Sequence, residues 1–269
     1  GRGKGDATSP MYITSNIKNA YDFDNLFATV LKYESHFDHI HLSACWNSLG
    51  HLAARGSDRS WFQQHATALE SLVQRTVDTV STSSRIRARE LANIAHGVAK
   101  SGQGSAMGPL MTALASSIAW HAGDAKPQEL ANTAWAFATA GHAAPEMYDA
   151  LAKAATPYMS EFNPQELANI AWAFATAAHS APALFDAVAT VAAPRLAEFT
   201  EQGLSNTVYA FAKAEHRAPA LFDAVAAMAK RRLSEFTEQA LANTVWAFAT
   251  AGHTAPALFD AVAAAVAPR

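Results

Sequence analysis

The sequence predicts an all-α fold, a right-handed α-solenoid of stacked helix-turn-helix repeats with a period of 37 residues, on three observations. The first is register. Asn132, Asn169, Asn206 and Asn243 stand 37 residues apart, and His142, His179, His216 and His253 keep the same step. Pro145, Pro182, Pro219 and Pro256 keep it too, as do Asp149, Asp186, Asp223 and Asp260. A fixed period of roughly 20–50 residues marks an array of supersecondary units that bury their apolar faces on one another. The second is punctuation. In the unit beginning at Phe162, Asn163 is placed to cap a helix and Pro164 takes its first position, where a missing N–H costs nothing. Glu166 completes a capping box, Phe162 can staple onto Leu167, and Phe199-Thr200…Leu204 and Phe236-Thr237…Leu241 repeat the cap and the staple. The third is amphipathicity. On a helical wheel Leu130, Ala134, Phe137 and Gly141 share one side, while Gln128, Asn132 and Thr139 share the other, with Trp135 at the margin.

Taken in order, residues 1–14 read as a flexible tail opening on Gly1-Arg2-Gly3-Lys4-Gly5, and residues 15–86 as degenerate helical repeats. A first helix begins after Asp22 or Asp24, with Phe23, Leu26, Phe27, Val30 and Leu31 at amphipathic spacing. A second spans about Ile40 to Ala54. Gly56-Ser57-Asp58 breaks it, and a third runs from about Ser60 to Val80 before a linker at Ser81–Ser84. Regular repeats occupy 87–269, an array truncated at its C-terminus, and the first copy opens at Arg89-Glu90-Leu91-Ala92-Asn93-Ile94. Asn93 precedes Asn132 by 39 residues, which places two extra residues in the Gly102–Ser105 loop.

In each regular unit helix A closes near the histidine, and helix B opens on the proline that follows. Leu184, Phe185, Val188 and Val191 make the apolar stripe of one helix B. Pro157, Pro194 and Pro268 then fall inside helix B, where proline bends or ends a helix, although Arg231 takes that position in another unit. The expectation is a kink or short break there, and one leading helix plus six A/B pairs, thirteen helices in all.

Half of the residues are hydrophobic and the net charge is −3, which gives no general attraction to nucleic acid or anionic membrane. Charge is uneven along the chain: residues 127–269 hold 8 Lys/Arg and 13 Asp/Glu, a balance of −5, against +2 for residues 1–126. The single cysteine, Cys45, excludes an internal disulfide or a cysteine-rich zinc module and fits a reducing compartment. No apolar run approaches the ~20 residues that span a bilayer, so membrane insertion is not expected. With no initiator methionine and no targeting segment in view, the sequence reads as an excerpt of a longer protein.

The stretches Gln165–Thr176 (Gln-Glu-Leu-Ala-Asn-Ile-Ala-Trp-Ala-Phe-Ala-Thr) and Gln239–Thr250 (Gln-Ala-Leu-Ala-Asn-Thr-Val-Trp-Ala-Phe-Ala-Thr) resemble octotricopeptide repeats. Those helix-pair repeats belong to organellar RNA-binding proteins of algae and related protists. The block Ile40–Ala53 is similar to the leading repeats of RAP-domain and FAST-kinase-like proteins, although the RAP domain itself is not in this sequence. The resemblance implies a mitochondrial or plastid protein that binds single-stranded RNA or a ribosomal RNA fragment. It would act in RNA processing, stability or translation, or in the mitochondrial ribosome, beside neighbouring proteins of a large complex.

Phosphate contacts are expected from cations and polar residues that vary within the repeat frame. One series is Lys100, Thr139, Thr176, Lys213 and Thr250, a helical turn beyond the aromatic position; Arg217 lies in an inter-helix turn. Arg85, Arg87 and Arg89 stand at the entrance to the array, and Arg231 and Arg232 near its end. The asparagine ladder (Asn93, Asn132, Asn169, Asn206, Asn243) never varies, as a base-reading residue would unless its target were a homopolymer. A structural hydrogen bond to a neighbouring turn is therefore expected. Trp135, Trp172, Tyr209 and Trp246 are expected to pack repeats rather than stack on bases. Each unit carries one histidine and one aspartate, and ligands spread at ~10 Å intervals cannot converge on one ion. No metal, cofactor, small-molecule substrate or catalytic constellation is expected, and the turn histidines take turn and cap roles. A protein–protein scaffold is the alternative function, favoured by the −5 balance and by the near-identity of the units.

Overall fold

A computed structural model describes residues 8–56, 59–103 and 107–266. The Gly1–Gly5 tail opening, the Ser57–Asp58 break, the Gly104–Ser105 part of the insertion loop, Pro268 and Arg269 lie outside the described residues. Among those described, every regular element is helical. The chain divides into two compact units, residues 1–147 and 148–269, each a stack of helix pairs.

The first unit holds α1 (Pro10–Lys18), α2 (Phe23–Tyr33), α3 (His39–Ala54), α4 (Arg59–Gln64), α5 (Ala66–Thr82), α6 (Ala88–Lys100), α7 (Gly108–His121) and α8 (Pro127–Ala140). Its A-type helices, α1, α3, α6 and α8, pack in sequence. The closest approach is between α3 and α6. A Cβ built on Gly97 would lie 2.1 Å from the Trp46 carbonyl oxygen, so only glycine permits this crossing. Trp46 itself is fully buried, and its indole N–H donates to Thr76 Oγ1 at 2.9 Å, tying α3 to α5.

Two differences from the sequence reading lie in this unit. Residues 10–14, assigned to a tail, form the first half of α1, whose Ile13 and Ile17 are 0% exposed; His41 Nε2 lies 3.2 Å from the Pro10 carbonyl and holds its start against α3. The α1–α2 segment is thus a pair, where a single leading helix was expected. The helix expected over Ser60–Val80 is split at His65, which leaves the helical region (φ −113°, ψ 27°) as its ring stacks on Trp61 at 4.2 Å. These two changes turn thirteen expected helices into fifteen among the described residues.

The boundary between units falls within α9 (Pro145–Ala155). The second unit continues with α10 (Pro164–Thr176), α11 (Pro182–Ala192), α12 (Glu201–Lys213), α13 (Pro219–Arg231), α14 (Glu238–Thr250) and α15 (Pro256–Val266). The expected start signals are realised. Asn163 Oδ1 accepts from the Glu166 amide at 2.9 Å, Glu166 accepts from the Asn163 amide at 2.8 Å, and Phe162 and Leu167 are both fully buried. Thr200 and Thr237 cap α12 and α14 through their hydroxyls alone, with Gly203 and Ala240 where Glu166 stands. The helix-B breaks appear as 3₁₀ segments at Thr156–Glu161, Ala193–Glu198 and Leu233–Glu235. The last follows a helix that runs on through Arg231, where no proline interrupts it.

Helices α10, α12 and α14 lie side by side, cemented by alanine and phenylalanine, with Phe174, Phe211 and Phe248 all 0% exposed. Small side chains let these helices approach closely, and Ser205 Oγ uses the proximity to donate to the Ala240 carbonyl at 2.9 Å.

Candidate functional site

The candidate residues fall on two edges and one face of the stacks. Neighbouring A helices run parallel and in register, because equivalent side chains touch: His96 and Trp135 at 5.2 Å in the first unit, Tyr209 and Trp246 at 4.9 Å in the second. Residues at one helical position therefore form rows.

The first edge is made by the N-termini of the A helices. In the second unit the capping position carries Asn163, Thr200 and Thr237, each accepting from the backbone amide three residues on, as caps do. In the first unit Ser9 and Asp38 cap α1 and α3, but the same position carries Arg87 in α6 and Lys126 in α8, neither of which makes a side-chain cap. Only the carboxylate half of the box is kept: the Arg87 amide donates to Glu90 at 3.2 Å and the Lys126 amide to Glu129 at 2.9 Å. Arg85, Arg87, Arg89 and Lys126 are all exposed. None is in an ion pair among the described residues. A cation here forgoes a cap worth about 1 kcal/mol and opposes the helix dipole, yet it sets a positive side chain in solvent at the helix start.

The face of the A helices bears the asparagine and aromatic ladders. Asn132, Asn169, Asn206 and Asn243 are half-buried. Asn93 donates to Ser43 Oγ at 3.3 Å, a bond to the adjoining helix. The other four asparagine side chains make no hydrogen bond among the described residues, so the expected bond to a neighbouring turn is not what sets them in place. In the second unit Asn169 and Asn206 instead line a polar groove of about 470 Å³ between α10 and α12, together with Gln165, Gln202 and Thr200. Among the aromatics, Tyr209 lies against Trp246 of the next repeat, and Lys213 Nζ sits 5.8 Å from the Tyr209 ring centre. In the first unit His96 packs on Trp135, and burial, with Lys100 and His51 adding to it, lowers its pKa to about 4.

The second edge is made by the inter-helix turns, and here the sequence reading needs the most revision. His179, His216 and His253 are neither caps nor paired with the aspartate seven residues on. Each Nε2–H donates backwards across the repeat boundary, His179 to Asp149 at 2.9 Å, His216 to Asp186 at 2.9 Å and His253 to Asp223 at 2.8 Å. The rings stack on Tyr148 and Phe185 and lie tilted on Phe222 of the preceding pair, and all sit edge-on to the phenylalanine of their own helix A. The histidine is thus a clasp between pairs. In the first unit His142 meets Thr112 Oγ1 at 3.4 Å, a neutral version of the same contact, and burial lowers its pKa.

A further clasp was missed. Arg195 Nη1 donates to the Phe162 carbonyl at 2.9 Å and Arg232 Nη1 to the Phe199 carbonyl at 2.7 Å, closing each pair's end onto its own start. Glu198 and Glu235 hold these guanidinium groups. Arg232, expected as a phosphate contact, is committed to this closure; the bond to Glu235, chief of several influences, raises its pKa further. Thr176 is also withdrawn from contact, since its Oγ1 is buried. Thr139, Lys213, Arg217, Arg231 and Thr250 are exposed, and Lys100 is half-buried. Lys213, Arg217 and Thr250 line two turn grooves of about 230 and 430 Å³ flanking His216.

Cys45 is fully buried, and desolvation pushes its thiol pKa well up, so it stays protonated and inert. Among the described residues no group of three or more His, Cys, Asp or Glu could hold a metal ion, and no helix is long and apolar enough to cross a membrane.

No curated protein matches the chain. The family model for the RNA-editing substrate-binding complex 6 protein matches residues 57–267, a span that takes in the basic edge and every regular repeat. The chain therefore belongs to the RNA-editing substrate-binding complex 6 (RESC6) family.

Proposed function

We propose that this chain is a non-catalytic helical-repeat subunit of an RNA-editing substrate-binding complex. It holds RNA by its phosphates along the basic edge of the first unit, at Arg85, Arg87, Arg89 and Lys126. The observation that carries this reading is the replacement of capping residues by exposed cations at two successive helix N-termini. Stability is given up there, and what is gained is a row of exposed positive charge suited to polyanion. Such contacts position RNA without reading its bases. Single-stranded RNA or a ribosomal RNA fragment suits this edge. Lys100, Thr139, Lys213, Arg217, Arg231 and Thr250 are secondary contacts at most, because those of the second unit stand among excess carboxylates. The octotricopeptide-like repeat resemblance, and with it a mitochondrial or plastid location, belongs to the same proposal.

A second reading, a protein scaffold, is favoured by one feature. Both Arg195 and Arg232 in the second unit are occupied internally, which leaves its surface acidic. The two readings divide between the units, with RNA on the first and protein neighbours on the second.

The test is a salt titration of RNA retention by the chain and by the triple variant Arg85→Glu, Arg87→Glu, Arg89→Glu. Neutralising three phosphates contributes about 2 to the slope of log K against log salt for a single strand. The variant should lose that much slope, and Lys213→Glu with Arg217→Glu should lose far less. Equal slopes for the chain and the triple variant would remove the assignment.

A further inference from the structure

The polar groove between α10 and α12 is lined by two carboxamides from each helix, Gln165 and Asn169 on one wall and Gln202 and Asn206 on the other. Within each helix the two stand four residues apart and so share a face. None of the four has a hydrogen-bond partner among the described residues, and both asparagines are half-buried. Helix α12 has α10 on one flank and α14 on the other, so Asn206 is left unbonded in the interior of the stack. Asparagine is a weaker helix former than alanine. Its recurrence at this position therefore brings no return within the stack itself.

The chemistry of the groove selects its occupant. No lysine or arginine lines it, and its one ionisable residue, Glu198, is already held by Arg195 at 3.1 Å. A phosphate backbone finds no countercharge there. A carboxamide offers both donor and acceptor, which matches the paired N–H and C=O that one residue of an extended polypeptide turns to the same side. A main chain is the same at every residue, whatever its sequence. An asparagine that never varies is poorly suited to reading bases and well suited to gripping a main chain. Helices packed about 8–10 Å apart, against a strand rise of about 3.3 Å per residue, set successive asparagines two to three residues apart along such a segment. Residues 148–269 hold 8 Lys/Arg and 11 Asp/Glu, so a basic segment complements this surface.

We infer that the α10–α12 groove binds an extended, basic peptide segment of a neighbouring protein, gripping its main chain through Asn169 and Asn206 with Gln165 and Gln202 beside them. The inference rests on the scaffold reading of the second unit and names what that unit holds.

The test measures binding of the 269-residue chain to a dodecapeptide of alternating lysine and serine, and to the same peptide N-methylated at every main-chain amide, which keeps the charge and loses the donors. Saturable binding of the first peptide is expected, about tenfold weaker for Asn169→Ala or Asn206→Ala and lost on N-methylation. The double variant should lose binding yet keep its Tm, since neither side chain has a bond to give up. No saturable binding, equal binding of the two peptides, or binding that the double variant retains would overturn the inference. So would a fall of several degrees in the double variant's Tm, which would make the asparagines structural. An oligouridine strand that binds the chain but not the double variant would overturn it in favour of RNA. Crosslinking within the native complex separates the inference from the reading beneath it. Proteins crosslinked to α10–α13 equally in the chain and the double variant would remove the groove and leave the scaffold reading standing. A second unit crosslinked to no protein in either would remove both.

Discussion

At the residue scale, single side chains fix how the repeats join. His216→Ala removes the bond to Asp186 and the stack on Phe185. It should cost about 1–2 kcal/mol and lower Tm by a few degrees, measured by thermal melt of the chain. Glu215 and Ala178 sit at φ 54° and 52°, where equivalent turns use Gly141 and Gly252. Glu215→Gly should therefore stabilise by about 0.5–1 kcal/mol in the same melt, since glycine adopts the left-handed region without strain. His96 supplies a pH dependence. Burial, with Lys100 and His51 adding to it, lowers its folded pKa from 6.5 to about 4, so between those values the unfolded chain binds a proton that the folded chain does not. Stability is thus fully present above about pH 6.5 and is lost progressively as pH falls towards 4. His96→Gln should flatten that part of the Tm profile, and an unchanged profile would deny the assignment. None of these partnerships was visible in the residue types alone. The histidine and aspartate series were plain in the register, but His179 pairs with Asp149 thirty residues before it and not with Asp186 seven residues after. Only stacking decides between two aspartates of the same series.

At the element scale, legibility followed the strength of local signals. Pro164, Asn163 and Glu166 state the start of α10 redundantly, and the structure agrees to the residue. The same Ser-Pro signal stands at Ser9-Pro10, where Ser9 caps α1. It was overlooked because the helix is nine residues long and carries only two buried apolar residues. The split at His65 had no local breaker to announce it, since the Trp61–His65 stack is compatible with an unbroken helix in sequence terms. Gly97 is the element-scale feature with the largest expected consequence. Gly97→Ala brings a methyl group onto the Trp46 carbonyl, so α3 and α6 must separate. The expected loss is about 2–3 kcal/mol, read by denaturant titration, whereas alanine at Gly108, which meets nothing nearby, should be close to neutral.

At the scale of the whole molecule, the repeat period predicted the architecture, but it did not predict where charge is usable. The sequence reading placed phosphate contacts at both ends of the array and between them, from Arg85 to Thr250. The geometry withdraws Arg232 and Thr176 from the second unit, because one closes a helix pair and the other is buried. What remains is an asymmetry: exposed cations at the N-termini of α6 and α8 in the first unit, neutral caps and excess carboxylate in the second. No count of charges could show this, since it depends on which guanidinium groups are already bound. The account rests on that asymmetry, and photo-crosslinking of the chain to RNA within its native complex, with peptides identified by mass spectrometry, tests it most directly. Crosslinks should concentrate in residues 83–100 and 121–130, around Arg85, Arg87, Arg89 and Lys126. Crosslinks confined to α10–α15, with the first unit bare, would contradict it.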